Sequence, residues 1–224
     1  ILKEIVKTKK IKNFHGISID TRSLKSGNLF LTIEGKNQDG IKYIPKAMKK
    51  GAQHIISSRS PKKFKMKTIN IKNEEKFLNN FAIKKRDASD AKIIAITGSA
   101  GKTSLKNLIK DLLTNYGKTF CSPKSYNNHY GVPLSLSQLE PSHRYGIFEV
   151  GMSKAGEINK LSKLIRPHIG IITNVGEAHI ENFKNLKGIA SAKAELIKNI
   201  KKDGTIILNR DDKFFNYFKS ISQS

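Results

Sequence analysis

The spacing of hydrophobic residues along the chain changes near residue 89 of 224. Before that point, short apolar runs alternate with turn-forming residues. They predict strands in HGISID, NLFLTIEG, QHIISS and KTINIK, and a helix in YIPKAMKKGA that ends at Gly51. EEKFLNNFAIKKR has apolar residues on one face and charges on the other, which predicts an amphipathic helix. Because the polar stretch DASDAK follows, we predict a first domain over residues 1–88.

Beyond residue 89, strands and helices alternate regularly. The predicted strands are KIIAIT, KTFCS, YGIFEVG, HIGIITNV and GTIILN. The predicted helices are Lys102 to about Tyr116, VPLSLSQL, GEINKLSKLI and LKGIASAKAELIKNI. Apolar strands buried on both faces and joined by helices are typical of a parallel sheet with right-handed crossovers. The expected fold class is therefore α/β: a small mixed α/β N-terminal domain, then a parallel-sheet domain over residues 89–224.

The segment TGSAGKTS follows the first strand of this second domain and opens its first helix. Backbone N–H groups of such a turn can bind phosphate oxygens, Lys102 can reach the β- and γ-phosphates, and the Thr103 hydroxyl can bind Mg²⁺. The usual G-x-x-x-x-G-K-[ST] pattern has a glycine where Ile96 stands, whereas here Gly98 comes two residues later. A chance Gly-Lys-Thr in an ordinary turn is the alternative, but the strand before it and the helix after it favour a phosphate-binding loop.

Polar side chains also follow the later strands, and ligands of parallel sheets bind at the carboxyl ends of strands. Glu149 ends a buried strand, where a carboxylate is either a metal ligand or part of a structural ion pair. His179 follows the next strand; a lone histidine is commonly a surface or core residue, but this position favours a site. Lys193 lies on a helix, where a solvated lysine is the ordinary expectation. The same edge receives Asn127, Asn128, His129 and Asn174.

The formal charge of +24 raises the possibility of a nucleic-acid partner. The basic residues are nearly all lysines, spread over almost every segment, whereas base and phosphate recognition favours arginine. This distribution favours solvated lysine faces, so we expect no nucleic-acid partner. The single cysteine, Cys121, is compatible with a reducing compartment, and no apolar run approaches the roughly 18 residues of a membrane span. We expect a cytoplasmic monomer without membrane insertion.

Taken in order, the segments TGSAGKTS, NNHYGVPLSL, EVGMSKAGEI, TNVGEAHIENF, AKAE and LNRDD resemble the Mur ligases of peptidoglycan synthesis. Their loop has the same G-x-x-G-K-[TS] form, which accounts for the missing first glycine. The resemblance covers roughly residues 15–215 and implies an ATP-dependent amide-bond ligase that uses two Mg²⁺ ions. SIDTRSLKSGNLFLTIEG and the segments NNHYGVP and GMSKAGEI are most similar to members that join D-alanyl-D-alanine to UDP-N-acetylmuramoyl-tripeptide.

The resemblance also implies roles for individual residues. Those expected at the ATP phosphates are Gly98, Ser99, Ala100, Gly101, Lys102, Thr103, Ser104, Asn128 and Asn174. Those expected to be catalytic are Lys102, Glu149, His179 and Lys193. The implied metal ligands are Thr103, Glu149, His179 and, as a carbamate, Lys193. Those implied at the uridine nucleotide, in the first domain, are Ser18, Asp20, Thr21, Arg22, Asn37, Asp39 and Gly40.

Some features depart from the family pattern. Ser125 replaces the first asparagine of the N-x-N-N segment, and Thr21 stands where serine is commoner. The family has three domains, so we expect this chain to hold the N-terminal domain and the first part of the ATPase domain, without the C-terminal Rossmann-like domain, and to be inactive alone. Another Mur ligase, a folylpolyglutamate-synthase-like ligase and a basic non-enzymatic nucleotide- or nucleic-acid-binding module remain as alternatives.

Overall fold

A computed structural model describes residues 1–6, 14–35, 38–59 and 62–222. The chain divides into two compact units, Ile1–Lys85 and Arg86–Ser224. The strands are β1 (Ile17–Ser18), β2 (Leu29–Leu31), β3 (His54–Ser57), β4 (Thr68–Asn70), β5 (Lys92–Thr97), β6 (Thr119–Cys121), β7 (Tyr145–Glu149), β8 (Ile169–Ile172) and β9 (Thr205–Leu208). The α-helices are α1 (Leu2–Val6), α2 (Ile44–Lys49), α3 (Glu74–Asp87), α4 (Lys102–Thr114), α5 (Gly131–Ser137), α6 (Glu157–Ile165), α7 (Leu186–Ala194) and α8 (Phe215–Ser222). Within the described ranges, every helix is too short or too polar to cross a membrane.

The first unit contains a four-stranded parallel sheet in the order β1-β2-β3-β4. Its core forms where Phe30 of β2 and Ile55 of β3 pack with Ile44 of α2. The strands are shorter than the apolar runs predict. At β1 the cause is local: the Ser18 hydroxyl donates to the Asp20 carbonyl at 2.9 Å and turns the chain out of the sheet.

The second unit is a five-stranded parallel sheet in the order β6-β7-β5-β8-β9. Ile94 and Ile96 of the central strand β5 pack under α4, where they meet Leu105 and Ile109. Since β7 and β8 flank β5, the segments that follow these three strands lie side by side at one edge of the sheet. The α/β fold class is confirmed, and the topology places the glycine loop, Glu149 and Asn174 at that edge.

Two local predictions are wrong in this unit, and one of its helices was not predicted. Helix α7 ends at Ala194 instead of continuing to residue 200, because the Asn199 amide donates to the Glu195 carbonyl (3.2 Å) and to Ser162 (2.9 Å). Strand β9 is not buried on both faces: it is an edge strand, and its Ile207 is 49% exposed. Helix α8, like the short α1, was not predicted at all.

The His168 side chain links the amino end of β8 to the amino end of β5. Its Nδ1 accepts a hydrogen bond from the Ile93 backbone N–H at 2.9 Å, which requires a neutral ring. Burial lowers the pKa of His168 from 6.5 to about 4, and the nearby cations Lys201, Arg86 and Lys92 act in the same direction. At a pH between these two pKa values, the unfolded chain binds the proton and the folded chain does not. The free energy of unfolding therefore falls as the pH falls through this range.

Because the ring is only partly buried, solvent screening reduces the full effect of this shift. We therefore expect the free energy of unfolding of the wild type to drop by about 1 kcal/mol more than that of His168→Asn between pH 7 and pH 4.5. The asparagine oxygen can accept the same bond without titrating. Urea unfolding at both pH values measures the difference, with exposed His129→Asn as the matched control. An equal loss of unfolding free energy in the wild type and in His168→Asn would contradict the conclusion that folding keeps the His168 ring neutral.

Candidate functional site

The loop after β5 makes its turn through two glycines with positive φ. Gly98 has a φ of +152°, and a Cβ there would stand 1.8 Å from the Thr173 hydroxyl. Gly101 has a φ of +79° and forms the left-handed N-terminal cap of α4. Only glycine satisfies both constraints without strain, so the backbone N–H groups at the start of α4 are presented at the sheet edge.

The segment that follows β8 holds this loop in place. The Asn174 side-chain oxygen accepts from the Ala100 N–H at 2.9 Å, and Ser99 exchanges hydrogen bonds with the backbone of Gly176 at 2.8 and 3.0 Å. The Lys102 ammonium group folds back and donates to the Gly98 carbonyl at 2.7 Å. Asn174 is thereby placed against the loop, as the sequence order suggests, while Ser104 lies exposed in the first turn of α4.

Glu149 lies at the end of β7 directly beside Thr103. The Thr103 hydroxyl donates to Glu149 Oε2 at 2.7 Å, and the Asn127 amide donates to Oε1 at 2.8 Å. Glu149 is 1% exposed, and its ionic partner is the Lys106 ammonium group at 3.6 Å. The carboxylate is therefore part of a structural ion pair and also faces the loop after β5. Its assignment as a metal ligand stays a prediction.

The donor set at this point fits a magnesium ion. A hydroxyl and a carboxylate are hard oxygen ligands, and Mg²⁺ typically takes one or two protein ligands and completes its shell with phosphate and water. No group of three or more His, Cys, Asp or Glu side chains that could hold a metal occurs in the described part of the chain. A site that needs oxygen atoms of a bound nucleotide therefore suits Thr103 and Glu149 better than a metal cage built by protein alone.

Lys193 departs from the expectation of a solvated helix lysine. It is 3% exposed, and burial lowers its pKa from 10.5 to about 8; repulsion from Lys102 acts in the same direction, and Asp212 opposes it. The ammonium group is therefore within electrostatic reach of the phosphate loop. His179, in contrast, is half exposed in a left-handed conformation (φ +66°), with Glu181 at 3.9 Å. Its assignment as a metal ligand stays a prediction.

Asn128 has a helix-capping contact in this structure. Its side-chain oxygen accepts from the N–H groups of Tyr130 (3.1 Å) and Gly131 (2.8 Å) at the start of α5. Its neighbour Asn127 is the residue that touches Glu149. The expected contact of Asn128 with the γ-phosphate stays a prediction.

In the first unit, the segment after β1 forms a compact turn. The Arg22 guanidinium contacts the Asp20 carboxylate through both Nε and Nη2, at 2.9 and 2.7 Å to Oδ2. Ser18 and Thr21 are buried at 5% exposure each, whereas the Arg22 side chain is 86% exposed. The turn therefore presents an oriented guanidinium group to solvent at the carboxyl edge of the sheet.

The segment after β2 is fixed to the segment after β3. Asp39 accepts from the Ile41 N–H at 3.0 Å, which is the largest cause of its lowered pKa, and its two oxygens also receive a two-point contact from Arg59 at 2.8 and 3.0 Å. Gly40 is required by close approach, since a Cβ would stand 2.7 Å from the Ile33 nitrogen. Asn37 lies outside the described residues.

Sequence reasoning missed three charged residues of these sites. Lys106 lies one helical turn after Lys102 and is 1% exposed. Arg59 comes two residues after the end of β3, where an arginine near a strand end is a detectable signal. Asp212 accepts from the Val175 N–H at 2.7 Å, so it anchors the segment that carries Asn174. Asp212 lies in LNRDD, one of the segments that carry the family resemblance, and this position could have indicated its role.

A parallel sheet whose central strand runs through a glycine turn into a helix with Lys-Thr at its start defines a phosphate-binding-loop protein. A family model described as "Mur ligase middle domain" matches residues 96–224, and "Mur ligase family, catalytic domain" matches residues 13–99. The chain belongs to the Mur ligase family.

Individual relatives give a finer comparison. The chain is 39% identical over 210 residues to UDP-N-acetylmuramoyl-tripeptide--D-alanyl-D-alanine ligase of Rickettsia prowazekii, covering 93% of this chain and 46% of the relative. It is similar to a crystal structure of MurF from Acinetobacter baumannii, with a TM-score of 0.88 and 28% identity over 99% of this chain and 50% of the other. It is also similar to a structure of MurF from Thermotoga maritima in complex with ADP, with a TM-score of 0.80 and 27% identity. That match covers 95% of this chain and 50% of the other. The chain therefore spans about half the length of these relatives.

Proposed function

We propose that the protein carrying this chain joins D-alanyl-D-alanine to UDP-N-acetylmuramoyl-tripeptide at the expense of ATP. The observation that carries the proposal is the Thr103–Glu149 contact of 2.7 Å beside Lys102 at the end of the central strand. A hydroxyl and a carboxylate beside a lysine suit the binding of Mg²⁺ and phosphate in an ATP-dependent phosphoryl transfer. The names of the relatives, and the ADP in one of their structures, support the particular substrates.

The reaction needs no protein nucleophile. The terminal carboxylate of the tripeptide attacks the γ-phosphorus of ATP, which forms an acyl phosphate and releases ADP. The amine of D-alanyl-D-alanine then attacks the acyl carbon, and the tetrahedral intermediate collapses to the amide with loss of phosphate and a proton. The main barrier in the first step is the approach of one anion to another, so positioned cations and in-line geometry supply the catalysis.

Residues of the second unit would meet these demands together. Gly98 to Ser104 would bind the phosphates, and Lys102 would leave the Gly98 carbonyl to neutralise the β- and γ-phosphates. Thr103 and Glu149 would hold Mg²⁺, which when bound supplies charge neutralisation on the phosphate oxygens. Asn128 and Asn174 would lie near the γ-phosphate.

His179 and Lys193 would serve a second metal ion. The pKa of Lys193 is lowered to about 8, which increases the fraction of neutral amine available to react with carbon dioxide. A carbamate at this position would exchange a buried cation for an anionic oxygen ligand. This assignment rests on the family resemblance and on the burial of Lys193.

The first unit would bind the uridine nucleotide. Ser18, Asp20, Thr21 and Arg22 would line one part of that site, and Asn37, Asp39 and Gly40 the other. Arg22 is the residue best suited to contact the diphosphate, because its guanidinium group is exposed yet oriented by Asp20. Asp39 has both oxygens engaged within the protein, so it would act by shaping the loop.

We expect Arg22→Ala to weaken binding of UDP-N-acetylmuramoyl-tripeptide by about tenfold to a hundredfold, since charge-assisted contacts contribute roughly 1.5–3 kcal/mol. Isothermal titration calorimetry on the full protein measures this effect. Lys25→Ala, an exposed cation three residues away, is the matched control and should bind like the wild type. Equal affinity of Arg22→Ala and the wild type would show that Arg22 does not contact the bound nucleotide. Failure of the wild type to bind would count against the proposed substrate.

A further inference from the structure

Lys106 is a lysine of α4 whose ammonium group is enclosed by protein oxygen atoms. It donates to the carbonyl of Ser122 at 2.9 Å and to the carbonyl of Lys124, and it lies 3.6 Å from Glu149 Oε2. A buried charge persists only when it is paired and hydrogen-bonded, and these three acceptors meet that requirement. The ammonium group thus links α4, the segment after β6 and the end of β7.

The segment held by Lys106 contains a strained residue. Lys124 has a φ of +45°, a left-handed conformation that is unfavourable for a residue with a side chain. Its carbonyl is one of the two that Lys106 binds. Such a conformation persists when surrounding contacts fix it, and the buried ammonium group is one of those contacts.

This strained turn leads directly into the asparagines beside the phosphate loop. Tyr126 N–H donates to the Pro123 carbonyl at 3.1 Å, and Gly151 N–H donates to the Asn127 carbonyl at 2.8 Å. The Asn127 side chain then donates to Glu149 Oε1 at 2.8 Å. The orientation of Glu149 therefore depends on the path of the chain between Ser122 and Asn127.

We propose that Lys106 is a positioning residue that fixes the turn at residues 122–124, and so holds Asn127 against Glu149 and sets the direction of that carboxylate toward Thr103. The structural part of this inference does not depend on the proposed function, because it concerns contacts within the ligand-free chain. Only its effect on nucleotide binding rests on that function. The two can therefore fail separately.

The test is hydrogen–deuterium exchange of the full protein without ligand, comparing the wild type with Lys106→Met. Methionine is of similar length but has no charge and no donor. Breaking the buried pair also lowers the free energy of unfolding of the whole unit, so exchange is compared between segments. We expect the amides of Tyr126, Asn127 and Gly151 to accelerate at least tenfold more than those of α6. The matched control is Lys110→Met, an exposed lysine one turn further along α4, which should leave all these amides as in the wild type.

Lys106→Gln retains two N–H donors without the charge, and we expect it to restore part of the protection. If Lys106→Met does not fold, Lys106→Gln is compared with the wild type by the same criteria. Wild-type exchange at the three amides in a folded Lys106→Met would overturn the proposal. So would uniform acceleration that includes α6, or unfolding of both variants, since each would show a role in the whole unit instead of one segment.

Binding of a fluorescent ATP analogue gives the second measurement. In Lys106→Met we expect the Mg²⁺ concentration for half-maximal binding to rise at least tenfold, whereas Lys110→Met should match the wild type. An unchanged Mg²⁺ requirement would overturn the link between Lys106 and Glu149. If the wild type itself bound no nucleotide, the proposed function would fail, and hydrogen exchange alone would decide the role of Lys106.

Discussion

Lys102→Met is expected to lower kcat/KM for ATP by at least about a thousandfold, equivalent to roughly 4 kcal/mol of transition-state stabilisation. The ammonium group of Lys102 is held at the loop by the Gly98 carbonyl, and phosphoryl transfer depends on cations placed at the transferring group. Methionine keeps the length of the side chain and removes the charge. Initial rates of ADP release at varied ATP concentration measure the loss.

Lys110→Met is the control for Lys102→Met, because it removes an exposed lysine from the same helix. It should retain wild-type kcat/KM. A folded Lys102→Met protein with more than a tenth of the wild-type value would show that the loop lysine does not stabilise phosphoryl transfer.

Glu149→Gln is expected to affect both stability and catalysis. The change leaves the ammonium group of Lys106 buried without its carboxylate, and breaking a buried pair typically costs about 3–5 kcal/mol. We expect the free energy of unfolding to fall by about 3 kcal/mol, since the glutamine oxygen can still accept one hydrogen bond. We also expect kcat to fall at least about a hundredfold, because the proposed acidic ligand of Mg²⁺ is lost.

Two further variants separate these effects of Glu149→Gln. Glu140→Gln breaks an exposed pair with Lys118 of 2.7 Å, where both side chains are 54% exposed, and should change stability by less than about 1 kcal/mol. The double variant Glu149→Gln/Lys106→Met should recover part of the lost stability without recovering activity. Equal effects of Glu149→Gln and Glu140→Gln on unfolding would contradict the buried-pair assignment.

The elements that could be predicted from the sequence are those with a regular apolar pattern. Strand β5, with the run KIIAIT, and helix α6 were found within a residue or two, because burial on the sheet produces that pattern directly. Helix α7 was predicted too long, because its end is set by contacts of Asn199 with Glu195 and Ser162. The contact with Ser162 joins residues that are 37 positions apart in the chain, and no local pattern reports it.

The glycine loop could also be predicted from the sequence, whereas the buried Lys106 was missed. Positions 98 and 101 have positive φ angles that favour glycine, so the spacing of the two glycines in the sequence indicates the turn. On α4, Lys106 lies on the inward face with Ile109, while Leu108 and Leu112 are exposed at 57% and 56%. The two helix faces are therefore similarly apolar in sequence, and hydrophobic spacing alone could not show that a lysine would be enclosed.

The most direct measurement of the central claim is product analysis by mass spectrometry. The full protein is incubated with UDP-N-acetylmuramoyl-tripeptide, D-alanyl-D-alanine, ATP and Mg²⁺, while ADP release is followed in parallel. The account predicts one pentapeptide product per ADP, and no product when any one component is omitted. ADP release without the pentapeptide, or addition of a single amino acid in preference to the dipeptide, would contradict it.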